Sequence, residues 1–207
     1  MPPRPAPAEA AASALADAPE PLKILITGAD HGAVLALLTA LSDSPPGRVE
    51  ELLSVADPHH RGDPGTTVTV EFGRIALDTA TVMLFTTPPQ LSSWSRWEDL
   101  LDDTVGAFVV ADRERLTGDL TTLDLLEQHG IPHLVVLPAH PGAQPPLEAW
   151  VRDQLHRIGI RHAAPQTPVV TIDARDRAAA RLALITLMEQ VMTATSAPDT
   201  TPAGIRS

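Results

Sequence analysis

The chain has 207 residues, enough for one domain with a sizeable core and two short tails. It carries 26 acidic against 15 basic residues, a formal net charge of -11, which argues against non-specific nucleic-acid binding and against attraction to anionic membranes. There is no cysteine, so disulfides and thiolate chemistry are excluded, and no apolar run reaches the length of a membrane span.

Residues 1–20 mix proline and alanine with Glu9 and Asp17 and lack the clean apolar stretch of a signal peptide, so a disordered tail is expected there. One domain is expected over residues 21–194 and a second disordered tail over 195–207. Leu22–Thr27 is a short apolar run ending at Gly28, the pattern of a buried strand. Ala33–Leu41 has helical composition. Residues 43–65 are rich in Pro, Gly, Asp and His and read as a long loop. Thr66–Leu77 and Ala80–Thr87 are rich in β-branched residues, and the Asp78–Thr79 step between them predicts an antiparallel hairpin.

Leu91–Asp103 reads as a helix, Val105–Ala111 as a strand, and Arg113–His129 as a helix closed by Gly130 in the C′ position. His133–Leu137 is a strand, and Pro146–Ile158 a helix with Pro146 in its first turn. Val169–Ile172 is a strand. Arg175–Thr193 is the last helix, its expected apolar face made of Ala179, Leu182, Ile185, Leu187, Met188 and Val191. This alternation predicts a six-stranded, mostly parallel sheet with helices on both faces and one antiparallel strand. Ligands of such folds sit beyond the carboxyl ends of the strands, so function is expected in the loops after residues 27, 87, 137 and 172.

Six stretches carry a family resemblance: KILITG (Lys23–Gly28), TTVTVEFGRIAL (Thr66–Leu77), LFTTPPQLSSWSRWEDLL (Leu84–Leu101), VVADRERL (Val109–Leu116), HGIPHLVV (His129–Val136) and IDARDR (Ile172–Arg177). In this order and spacing the chain resembles the small GTPase-like proteins of actinobacterial conservons, relatives of the bacterial gliding-type small GTPases, over about Pro21 to Thr193. The resemblance implies an α/β three-layer P-loop NTPase fold of the Ras-like type. It also implies a cytoplasmic location, with any membrane proximity arising through partners, and a signalling assembly containing a roadblock-type protein.

The pocket motifs of that family are degenerate here. A phosphate loop needs G-x-x-x-x-G-K-S/T, whose backbone N–H groups cradle phosphates while Lys reaches the β/γ-phosphates and the hydroxyl binds Mg²⁺. Gly28 keeps the first glycine. The second-glycine position is Ala33, with Gly32 adjacent, the lysine position is Val34 and the magnesium position is Leu35. Lys23 is the only lysine in the chain, so no shift of register supplies another. Asp30 adds a carboxylate where phosphates would lie and would repel them.

In the D-x-x-G element, Thr86 stands at the Asp position and Pro89 at the glycine position, where proline has no N–H to donate. Gln90 occupies the place of the water-orienting glutamine, vestigial without a γ-phosphate. The base-reading N-K-x-D element is replaced by Pro138-Ala139-His140-Pro141. Asp173 and Ala174 keep the family's last element, although Asp173 serves equally as an N-cap of the final helix.

A hydrogen bond to a charged group contributes roughly 1.5–3 kcal/mol, so these losses remove on the order of 6–12 kcal/mol. A nanomolar site has about 12 kcal/mol to lose. The expectation is a catalytically inactive pseudo-GTPase with no bound cofactor and no metal, acting by protein–protein contact. The alternative is a divergent but active GTP- or ATP-binding GTPase using Mg²⁺, with Arg61, Arg74 or a partner's arginine replacing the lysine.

His59 and His60 lie in a segment better read as a solvated loop than as a metal site. Trp94 and Trp97, three apart on one helix, are either core residues or an aromatic anchor for a partner.

Overall fold

The structure is a computed structural model that describes residues 20–53, 66–87, 100–111, 116–139 and 167–196. Its elements in chain order are β1 (Leu22–Gly28), α1 (His31–Leu41), β2 (Gly47–Leu53), β3 (Thr66–Ala76), β4 (Thr81–Thr86) and β5 (Thr104–Val110). They continue with α2 (Leu116–Gln128), β6 (His133–Pro138), β7 (Val169–Ile172) and α3 (Arg177–Ser196). The expected helix over Pro146–Ile158 and both expected tails fall outside the described residues, except that α3 runs on through Ser196. Of the expected helix at Leu91–Asp103, residues 100–103 are described: Leu100 and Leu101 are helical, and Asp102 and Asp103 form a turn instead.

The strands form one sheet in the order β2-β3-β4-β1-β5-β6-β7. β1 pairs in parallel with β4 and β5, and β5, β6 and β7 continue in parallel. β3 is antiparallel to both of its neighbours, so it alone runs against the rest, as the hairpin signal at Asp78–Thr79 predicts.

Among the described residues the sheet has seven strands, not six. The seventh is β2, inside the segment read as a loop: Arg48 pairs with Glu71, Val49 with Val70 and Glu50 with Thr69. An edge strand needs no continuous apolar run, and Pro45 and Pro46 just before it, with Gly47 as its first residue, mask its start in the sequence.

β1 is the centre of the sheet, and Ile24, Leu25 and Ile26 are all fully buried, the continuous apolar run of a strand covered on both faces. On one face α1 and α3 close a core built on Ile24, Ile26, Leu84, Phe108, Leu134 and Leu187. On the other face α2 packs over Leu25, Val109, Val135 and Leu137 through Leu123 and Leu126. These two cores make three layers.

α2 ends as the sequence predicts. Gly130 adopts a φ of 65°, donates to the Glu127 carbonyl at 3.0 Å, and is followed by the Ile131 N–H on the Leu126 carbonyl at 2.9 Å. That left-handed turn suits glycine, which has no Cβ to strain.

The inward face of α3 differs from the expected one. Leu187 is buried and Ala179, Met188 and Val191 are half-buried, but Leu182 and Ile185 are 66% and 55% exposed. Ala180 and Ala183 are buried in their place. The reason is close packing: Leu187 and Val191 lie within 3.1–3.4 Å of where a Cβ on Gly106 would stand. The buried positions Ala180, Ala183, Leu184 and Leu187 form one helical stripe, which leaves Leu182 and Ile185 on the other side.

His133, at the start of β6, is a buried polar residue with a measurable consequence. Its Nδ1–H donates to the Ile131 carbonyl at 3.0 Å, leaving Nε2 to accept from the Thr167 hydroxyl at 3.4 Å. Burial pushes its pKa below the ordinary value, outweighing the backbone hydrogen bond that raises it. The unfolded chain therefore binds a proton below about pH 6.5 that the folded chain refuses until lower pH. Stability is expected to fall as pH drops through that window. Urea midpoints at about pH 7.5 and about pH 5 check this, and His133→Gln is expected to show a smaller drop. An equal drop in the variant would assign the acid sensitivity to other groups.

Candidate nucleotide site

The crevice of interest lies where β1 and β4 end and α1 begins. Gly28 closes β1 against β5, and a Cβ there would strike the carbonyl oxygen of Val110 and lie 3.0 Å from its Cβ. The glycine is required by strand packing, whatever binds nearby.

Asp30 is the N-cap of α1, with φ -94° and ψ 94°. One carboxylate oxygen accepts from Gly32 N at 2.9 Å and Ala33 N at 3.2 Å. These are the free N–H groups that a helix start would otherwise offer to an anion. The sequence places Asp30 as a repulsive charge near the loop, and the geometry makes it a direct occupant of the donors.

Val34 turns inward and is buried in the core under α1, and Leu35 is half-buried against the same cluster. Neither offers a polar side-chain atom. Among the described residues no group of three or more His, Asp or Glu could hold a metal ion. At this helix start the Gly32 and Ala33 N–H groups are taken by the chain's own carboxylate, and Val34 and Leu35 bring apolar side chains.

Thr86, at the end of β4, is fully buried and bonded to Glu71 of β3 through three contacts. Its hydroxyl donates to Glu71 Oε2 at 3.0 Å, lies 3.3 Å from the Glu71 carbonyl, and accepts from the Glu71 N–H at 3.1 Å. Glu71 Oε1 is 3.3 Å from Arg48 and 3.7 Å from His31 Nε2. On the opposite face of the strand ends, the Thr87 hydroxyl donates to that of Thr27 at 2.9 Å.

Sequence reasoning missed Glu71. Its signal was there, because Glu71 alternates in phase with Gly73 and Ile75, and Ile75 faces the core.

The remaining expected residues divide. Pro138 ends β6 half-buried, and the next N–H, of Ala139, donates to the Ile172 carbonyl at 2.8 Å. Ala174 is buried in the core beside α3. Asp173 accepts from the Arg175 N–H at 2.9 Å, while the N-cap role falls to Asp176, which accepts from Ala178 N and Ala179 N. Pro89, Gln90, Trp94, Trp97, His140, Pro141, His59, His60 and Arg61 lie outside the described residues.

No protein-family model matches the chain, and no curated protein matches it. Solved structures do. The chain is similar to the cytosolic domain of the T. maritima FeoB iron transporter in a GDP form, at 15% identity and a TM-score of 0.52, over 91% of this chain and 67% of that one. It is also similar to the G domain of the same transporter, at 15% identity and a TM-score of 0.48, over 86% of this chain and all of that one. With the strand order above, the former likeness shows the fold: a three-layer α/β architecture like that of a G domain.

Proposed function

We propose that this protein is a pseudo-GTPase: a small-GTPase fold that neither holds nor hydrolyses a nucleotide and acts through protein–protein contact. The observation that carries the reading is the Asp30 carboxylate seated on Gly32 N and Ala33 N, with Val34 buried beside it. A phosphate entering there must displace a covalently attached anion and finds the apolar Val34 at the position of the motif's lysine.

The partners proposed are a roadblock-type protein and other components of a conservon-type signalling assembly, as the resemblance implies, with Trp94 and Trp97 as the candidate docking residues. A cytoplasmic site of action belongs to the same proposal. Among the described residues no helix is long and apolar enough to cross a membrane.

Calorimetric titration with GTP, GDP and ATP, each with Mg²⁺, tests the reading. No heat and no thermal shift up to about millimolar nucleotide is the expected result. Micromolar or tighter binding would overturn it in favour of a divergent active GTPase.

A further inference from the structure

A buried carboxylate is costly unless its oxygens are paired. The Glu71 side chain is only 7% exposed, and its partners come from three other elements. Thr86 belongs to β4, Arg48 to the edge strand β2, and His31 is the first residue of α1. The His31 contact is an ion pair when the imidazole is protonated and a polar contact otherwise. One carboxylate thus joins four elements at the strand-end crevice, where folds of this kind place their ligands.

Among the described residues β3 is the only strand neighbour of β2, and Val49 within β2 is 53% exposed. An edge strand of this kind frays first unless something beyond its ladder fixes it.

We propose that Glu71 is an internal clamp that holds the β2–β3 hairpin against the first turn of α1 without any bound ligand. Arg48 supplies the positive charge, His31 a polar contact, and Thr86 anchors the carboxylate to the sheet. This deepens the pseudo-GTPase reading and rests on it, since a chain with no nucleotide must order this region by its own side chains.

Hydrogen exchange on the full chain, without ligand, tests the clamp. In Glu71→Gln, which keeps the shape but not the charge, the β2 amides over Gly47–Leu53 are expected to exchange about tenfold faster. The β6 amides over Leu134–Leu137 are expected to stay within about twofold of wild type. Arg48→Gln, at a side chain 62% exposed and thus harmless to the core, is expected to accelerate the same β2 amides by about threefold.

Unchanged β2 exchange in both variants, or equal acceleration of β2 and β6, would overturn the proposal. A parallel arm with wild type and millimolar Mg²⁺–GTP separates the two readings. Slowed exchange there overturns the pseudo-GTPase assignment, while the clamp is judged on the ligand-free variants alone.

Discussion

Phe108→Ala is expected to remove about 3–5 kcal/mol of folding stability. Phe108 is fully buried and is among the largest side chains in the core. It sits in the middle of β5, between Ile26 of β1 and Leu134 of β6, on the face that α1 and α3 close. Truncation there loses the transfer free energy of a ring and leaves a void between rigid strands that cannot collapse to fill it.

Against a total of about 5–15 kcal/mol for a domain, that loss is a large share. The measurement is the urea midpoint, with an unchanged slope showing that the denatured state is the same. Leu182→Ala is the built-in comparison. That leucine is 66% exposed on α3, and its truncation is expected to change stability by no more than about 0.5 kcal/mol. Similar losses in the two variants would mean that α3 presents a different face to the sheet.

Gly28→Ala is expected to destabilise the protein by about 1–3 kcal/mol, through overpacking instead of a void. The obstacle is backbone: the carbonyl carbon of Val110 would lie 3.1 Å from the new methyl, and its oxygen closer still. Backbone in the middle of a sheet cannot rotate aside as a side chain can. The register Gly28 to Val110 would have to open, and it joins the two central strands. The melting temperature is expected to fall by about 2–4 °C per kcal/mol lost.

The effect must appear with no nucleotide present. If Gly28→Ala melts with the wild type, strand packing is not what requires the glycine.

Gly28 also shows what a sequence conveys about a site and what it withholds. A glycine after an apolar strand marks the turn into α1, and that was legible. Whether the residue exists for a ligand or for a neighbouring strand depends on Val110, a residue that only the folded sheet brings near. The sheet centre was legible for a similar reason: β1, β5 and β6 are apolar runs whose identity needs no partner to recognise.

The parts that were not legible depend on tertiary neighbours. β2 is polar because it lies at an edge, and edge strands carry no continuous apolar signal. In α3 the bulky Leu182 and Ile185 pulled the expected face around the helix, while the small Ala180 and Ala183 mark the side that approaches the sheet closely. At the site, Asp30 was legible as a charge in the loop, but its seat on two N–H groups is a matter of geometry. Glu71 reads as one acidic residue in an otherwise ordinary strand until Arg48, His31 and Thr86 converge on it.

The position of β1 has a consequence for how the chain is made. Among the described strands it is synthesised first and is the most enclosed, flanked by β4 through the Leu22–Val82 register and by β5 through the Lys23–Thr104 register. Both partners leave the ribosome much later. Until then a run as apolar as LKILIT has open edges on both sides, and long-range pairing of this kind is slow to form. The nascent chain must therefore keep its own centre unpaired until β5 has emerged, and the interval before then is when it is most exposed to aggregation and to capture by a chaperone.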